Sequence, residues 1–176
     1  LKEVRPTTML SVPMIIEKIY RSSVLPNFTS KKGVKAIYST TLGRKVLNRI
    51  AGKKLMETFG GRLRFFGIGG AKLRFLHEAK FPYAIGYGLT ETAPLLAGAI
   101  PNNVKWQSTG PAVDGVELRI DNPNPKTGEG EIVARGPNVM VGYYNNPQAT
   151  QEAFTKDGWF RTKDLGVIDN SGRLYI

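Results

Sequence analysis

From residue 47 to residue 59 an apolar side chain returns at every fourth position, as Leu47, Ala51, Leu55 and Phe59, with Ile50 on the same side. That spacing predicts an amphipathic helix over "LGRKVLNRIAGKKLMETF", with a stripe facing the core. Upstream, "VPMIIEKIYRSSV" carries Ile15, Ile19 and Tyr20 at helical spacing. Pro13 suits a first turn, where its missing N–H has no intrahelical partner to lose. The stretch "NFTSKKG" between the two helices reads as a loop. Beyond the glycine pair at 60–61, "RLRFFGIGG" predicts a short buried strand, "AKLRFLHEAKF" a helix and "PYAIGYG" a further strand-like run. Strand and helix in alternation argue for a parallel sheet covered by helices.

The pattern changes near residue 104. Val116, Leu118 and Ile120 alternate with Glu117 and Arg119, which marks a half-buried strand, and residues 131–135 form a second strand-like run. Between them "NPNPKTGEG" has the composition of a hairpin connection. "YYNNPQATQEAF" predicts one short helix, and "GWFRTKDLGVIDNSGRLYI" a strand, a turn at "DNSG" and a strand. The expected organisation is an α/β portion over residues 1–104, part of a helix-flanked parallel sheet, followed by a small β-rich portion over 105–176. No internal repeat or low-complexity segment interrupts it.

Composition narrows the function. At 176 residues, 41% hydrophobic and 10% aromatic, the chain has material for a real core. It contains no cysteine, which excludes disulfides and thiolate metal sites. The single histidine, His77, argues against a His-based triad or a His-rich metal centre, and an ordinary helix surface position is expected for it. No apolar run approaches the roughly 20 residues that span a bilayer, and no signal-peptide pattern is present, so a cytoplasmic protein is the default. The chain begins without methionine and stops at "GRLYI" in an expected strand, so a piece of a longer protein is expected.

The net charge is +11, and residues 31–64 hold ten Lys and Arg against one acid, Glu57. Arg44, Lys45, Arg49, Lys53 and Lys54 crowd the outer faces of the basic helix. Two readings stand: a solvated helix face, or contact with an anionic partner such as membrane headgroups or a phosphorylated ligand. Nucleic acid is not expected, because no aromatic interleaving accompanies the charges.

The candidate chemistry lies in "GYGLTETAPL", residues 86–95. Gly86 and Gly88 suit a tight strand-to-helix turn with Thr90 or Thr92 as its cap. The same residues suit a nucleotide: Tyr87 can stack on a base, Thr90 can donate to an α-phosphate, and Glu91 is a hard oxygen ligand for Mg²⁺. Ligands gather at the carboxyl ends of parallel strands, where "GIGGAKL" and "GYGLTET" both fall. Far downstream, Asp164 could accept hydrogen bonds from two ribose hydroxyls, or merely cap a turn.

Taken in order, "GGAKL", "GYGLTET", "GEGEIVARGPNVMVGYY" and "GWFRTKDLG" resemble the adenylate-forming (AMP-binding) enzymes, most closely the long-chain fatty acyl-CoA synthetases, and the likeness runs through "TTMLSVPMIIEKIY" at the start. The resemblance implies an ATP- and Mg²⁺-dependent acid–thiol ligase that forms an acyl-adenylate from a fatty acid and passes it to coenzyme A. It implies that 1–104 belong to a large N-terminal adenylation domain, and that 105–176 form a distorted barrel-like subdomain running up to a hinge. Gly70 and Ala71 would line the adenine pocket, Tyr87 would stack on the base with Gly88 beside it, Thr90 would contact the α-phosphate, Glu91 the magnesium, and Asp164 the ribose.

The same resemblance places the phosphate loop upstream of "TTMLSVP" and an arginine and a lysine-bearing C-terminal domain beyond Ile176, so these residues by themselves are expected to be catalytically inert. One departure stands out. The family usually has glycine between the Thr and Asp of "RT-D", where this chain has Lys163, a side chain that could crowd the ribose or point to solvent. The competing expectation is a non-catalytic binding module that keeps the scaffold and uses its basic helix on an anionic surface. Chain-length preference and oligomeric state are not readable. The enzyme reading requires Tyr87, Thr90, Glu91 and Asp164 around one cavity, and Asp164 far from the other three would overturn it.

Overall fold

Residues 1–69 and 74–176 are described by the computed structural model, and they sort into two units, Leu1–Ile85 with Ile100–Trp106 and Gly86–Ala99 with Gln107–Ile176. Together they hold a mostly parallel sheet with helices and a five-stranded antiparallel sheet, a mixed α/β architecture. No helix among the described residues is long and apolar enough to cross a membrane.

The first unit opens with β1 (Thr8–Ser11), which pairs in parallel with β2 (Phe65–Gly69) from Thr8 opposite Phe65 to Ser11 opposite Ile68. The sequence pattern, helical from "VPMIIEKIYRSSV" onward, gives no sign of this strand, because four residues are too few for alternation to show. Next come α1 (Pro13–Ile19), a π-helical turn (Tyr20–Val24), α2 (Leu25–Thr29), α3 (Lys32–Ser39) and α4 (Thr41–Thr58). The stretch read as a loop, "NFTSKKG", is instead divided between α2 and α3. Pro26 has no N–H, and the widened π turn precedes it where an ordinary ladder would need that donor. The chain continues through α5 (Arg74–Glu78) to β3 (Tyr83–Tyr87).

Helix α4 is rotated relative to the expected stripe. Ala51 and Leu55 are buried as expected, but Asn48 is 1% exposed and Ile50 is 49% exposed. The reason is polar. Glu78 of α5, 9% exposed, accepts hydrogen bonds from Arg44 Nε at 3.1 Å and from Asn48 Nδ2 at 2.7 Å, which draws that edge of α4 inward. Gly52 permits the approach, since a Cβ there would lie 2.7 Å from Ala79 Cβ. Arg44 is therefore committed internally, while Lys45, Arg49, Lys53 and Lys54 are exposed. Around this anchor Phe59, Phe66 and Phe81 pack with ring centroids 5.6–6.2 Å apart, joined by Ile16, Leu55, Phe75 and Leu76.

His77 departs from the expected surface position. It is half-buried, with Nδ1 3.2 Å from the Tyr83 hydroxyl and its ring against Trp106. Burial, with Lys80 nearby, pushes its pKa below the usual 6.5.

In the second unit β3 is followed by β4 (Ala97–Ala99), β5 (Gly110–Pro111), β6 (Glu117–Asp121), β7 (Gly130–Arg135), α6 (Pro147–Glu152), β8 (Phe160–Ile168) and β9 (Arg173–Tyr175). The sheet order is β5-β9-β8-β7-β6, and each neighbouring pair is antiparallel. Sequence chemistry closes each connection. Asn124 Oδ1 accepts from the N–H groups of Lys126 and Thr127 in the β6–β7 loop, and Asp169 Oδ1 accepts from Ser171 and Arg173 N–H between β8 and β9. Asn146 caps α6 by accepting from Ala149 N–H. Ala97, Ile132 and Leu174 form the buried centre, with Tyr87, Leu118, Ile120 and Ile168 packed on it.

Replacing Glu78 by Ala leaves Arg44 and Asn48 without their shared acceptor, and urea unfolding is expected to show a loss of about 3 kcal/mol, against almost none for exposed Glu57→Ala. His77 binds a proton more weakly folded than unfolded, so stability is full above pH 6.5 and falls as pH drops below it. The urea midpoint difference between the parent and His77→Gln should accordingly change between pH 7.5 and 5.

Candidate functional site

Strand β3 delivers Tyr87 to the edge of a tight reversal. Gly88 is required there because a Cβ would lie 1.8 Å from the Pro94 carbonyl oxygen, so the returning chain occupies the space of a side chain. Thr90–Thr92 form a single 3₁₀ turn, not the longer helix the sequence suggested. Thr92 is fully buried, and its hydroxyl accepts from Leu89 N–H at 2.9 Å. Ala93 takes a left-handed φ of 47°, and Leu96 N–H then donates to Tyr87 O at 2.8 Å to close the loop.

A second segment holds this loop from the other side. Asn138 Nδ2 donates to the carbonyls of Thr92 and Leu95, both at 2.7 Å, and Met140 N–H donates to Glu91 O at 2.7 Å. The Glu91 carboxylate is then met by Tyr143, whose hydroxyl donates to Oε1 at 3.0 Å; that hydrogen bond raises the tyrosine's pKa above its usual value. Tyr143 N–H is fixed by Thr150 Oγ1 at 2.9 Å.

The third segment is a bulge in β8. Glu131 pairs with Leu165 and Val133 with Arg161, so β7 advances two residues while β8 advances four. The surplus residues leave the ladder. Thr162, 5% exposed, anchors the bulge by donating to Ile132 O at 2.8 Å and accepting from Asp164 N–H at 3.1 Å. Lys163 sits in the left-handed region at φ 63°. Asp164 Oδ2 accepts from the Tyr87 hydroxyl at 2.7 Å, and burial followed by this contact pushes the Tyr87 pKa well above its usual value.

The expected residues are distributed as follows. Tyr87 and Asp164, 77 positions apart, are in direct contact. Glu91 lines a cavity of about 350 Å³ whose wall includes Tyr143, Arg161, Thr162 and Lys163. Thr90 is exposed, and its hydroxyl has no partner among the described residues. Gly88 meets its own chain at Pro94. Gly70 and Ala71 lie outside the described residues. Sequence reasoning did not single out Asn138 and Tyr143, because their partners are 43 to 52 positions away and no spacing rule reaches that far. Their only sequence signal is membership of "GPNVMVGYY".

The described residues contain no group of three or more His, Cys, Asp or Glu able to hold a metal ion alone. Glu91 offers one carboxylate, with one oxygen engaged by Tyr143 and the other without a protein partner among the described residues. That donor set fits Mg²⁺, which takes one or two carboxylates and completes its shell with phosphate and water.

Comparison with known proteins matches residues 1–144 to the family model described as AMP-binding enzyme. A long-chain-fatty-acid–CoA ligase of Mycobacterium bovis is 35% identical, over 98% of this chain and 32% of its own length. The chain thus spans about a third of the length of such relatives. Among solved structures, ATP-bound MatB from Rhodopseudomonas palustris matches with a TM-score of 0.71 at 26% identity, over 98% of this chain and 31% of that one. The O-succinylbenzoate coenzyme A synthetase of Bacillus subtilis, in complex with ATP and magnesium ion, matches with a TM-score of 0.66 at 25% identity, over 98% of this chain and 31% of that one.

Gly88→Ala is expected to cost about 1–3 kcal/mol in urea unfolding by forcing Pro94 away. Gly33→Ala, a helical position where an added Cβ meets nothing within 4 Å, should be neutral or stabilising. Equal effects at the two positions would contradict this account of the turn.

Proposed function

The chain belongs to the AMP-binding enzyme family, and from that premise we propose that it forms the adenosine-holding part of an acid–thiol ligase that joins a fatty acid to coenzyme A with ATP. The observation that carries this reading is the Tyr87–Asp164 hydrogen bond, with Glu91 in the turn that follows Tyr87 along the chain. A carboxylate has four lone-pair sites, so Asp164 can keep Tyr87 on Oδ2 and still accept ribose hydroxyls. Tyr87, supported from behind by Ala97, Ile132 and Leu174, offers its ring to the base. Gly88 lets the backbone pass close beside it, and Gly70 and Ala71, which the resemblance assigns to the adenine, lie outside the described residues. The five-stranded sheet is part of the distorted barrel-like subdomain of 105–176, after the α/β portion of 1–104.

The chemistry proceeds in two displacements. An oxygen of the substrate carboxylate attacks the α-phosphorus of ATP, the bond to the β-phosphate oxygen breaks, and pyrophosphate leaves. The coenzyme A thiol then attacks the acyl carbon, and AMP departs with the oxygen. Thr90, whose hydroxyl has no partner among the described residues, donates to an α-phosphate oxygen as negative charge builds there. Glu91, held by Tyr143 and Met140, is the carboxylate that binds Mg²⁺. When bound, that ion neutralises charge on the phosphate oxygens. The fatty acid is supported by the likeness to the mycobacterial ligase along nearly the whole chain.

A second reading is favoured by the exposed side of α4. Leu42, Val46 and Ile50, 76%, 49% and 49% exposed, run along it beside Lys45, Arg49 and Lys53. An apolar stripe flanked by cations suits the surface of an anionic membrane, either as peripheral contact of the ligase or as the role of a binding module without catalysis.

Carboxylate-dependent ATP–pyrophosphate exchange by the whole protein, with acids of increasing chain length, separates the readings. Exchange that rises with chain length supports the fatty acid ligase, exchange only with short or aromatic acids redirects the substrate, and none with any acid leaves the binding module. Glu91→Gln is expected to lower exchange about a hundredfold with unchanged folding. Unaltered kinetics would remove Glu91 from the site.

A further inference from the structure

We propose that Lys163 is a specificity-determining residue that places its ammonium on the β- and γ-phosphates of the nucleotide, so that the site distinguishes a nucleoside triphosphate from a monophosphate. The proposal rests on the adenosine site described above. Its first support is conformational. Lys163 holds a φ of 63° at the crest of the β8 bulge, a region that favours glycine. Strain of this kind persists where surrounding structure enforces it, and it gathers at ligand sites. Here the enforcement is visible in Thr162, tied to Ile132 O and Asp164 N–H, and in Glu131 Oε1, 3.3 Å from Lys163 N–H.

The second support is charge. Lys163 and Glu91 line the same cavity of about 350 Å³, together with Arg161 and Glu152. Arg161 is already engaged, by Glu131 at 2.7 Å and Asp121 at 3.7 Å. The Lys163 ammonium has no ion-pair partner among the described residues and remains exposed. It is a cation without an ion pair among the described residues, in a cavity that also presents the Glu91 and Glu152 carboxylates. Were Mg²⁺ held by Glu91, a polyphosphate tail between that ion and Lys163 would meet positive charge on both sides.

The third support is direction. Asp164 turns to the Tyr87 hydroxyl, while Lys163 belongs to the wall that Glu91 shares. Successive side chains of a strand leave on opposite faces, and even in a bulge the two residues here serve different surroundings. Lys163 is thereby separated from the Tyr87–Asp164 contact and placed on the cavity wall that it shares with Glu91.

The test is calorimetric titration of the whole protein with ATP and with AMP, for the parent and for Lys163→Gln, Lys163→Arg and Lys163→Gly. Lys163→Gln should weaken ATP about tenfold and leave AMP within about twofold, with Lys163→Arg recovering most of the loss. Lys163→Gly should weaken ATP equally, although it melts at higher temperature because the strain is relieved. Unchanged ATP affinity in Lys163→Gln, equal weakening of both nucleotides, or tighter ATP binding by Lys163→Gly would overturn the proposal while leaving the adenosine site intact. If the parent binds neither nucleotide, the adenosine site falls and this inference with it.

Discussion

A single hydrogen bond, from the Tyr87 hydroxyl to Asp164 at 2.7 Å, joins the end of one strand to the bulge of another 77 residues away. Everything proposed for the site depends on it. Tyr87 is set by the buried cluster behind its ring, and Asp164 by the bulge that Thr162 anchors. Because the contact is partly buried, the carboxylate gains from keeping a donor, and its remaining lone pairs are aimed where Tyr87 leaves room. In the proposed site the bond would orient the acceptor before the ribose arrives, which would lower the ordering cost of binding.

Around this bond the backbone is held by close approaches that few sequences permit. The reversal at Gly88 exists because no side chain stands between it and Pro94, and the Asn138 amide bridges two carbonyls that the turn would otherwise leave open. Two non-glycine residues near the site, Ala93 and Lys163, adopt left-handed φ values of 47° and 63°. Local preference is overruled at both places by tertiary hydrogen bonds, a pattern expected where geometry serves a ligand and stability is secondary.

Much of this was legible in the residues. The strands at 117–121 and 130–135, their hairpin and the "DNSG" turn followed from alternation and turn chemistry, because those rules are local. The order of motifs named Tyr87, Glu91 and Asp164 together; of these the structure pairs Tyr87 with Asp164, while Glu91 lines a cavity whose wall includes neither. What escaped was set by distant partners. Glu78 drew Asn48 inward and Ile50 outward, against the four-residue stripe, since one buried carboxylate outweighs a single exposed isoleucine. The four-residue strand at Thr8–Ser11 carries too few positions to show a period. Tyr143 reaches Glu91 across 52 residues, and no spacing in the chain announces that contact.

The most direct measurement of the central claim is a double-mutant cycle between Tyr87→Phe and Asp164→Asn, read as the affinity of the whole protein for adenosine monophosphate. If Tyr87 orients Asp164 for the ribose, removing the hydroxyl should weaken binding several-fold when Asp164 is present and have almost no effect once it is Asn, a clear departure from additivity. Strictly additive losses, or full affinity in the double variant, would show that the two side chains act apart and that this hydrogen bond does not build the site.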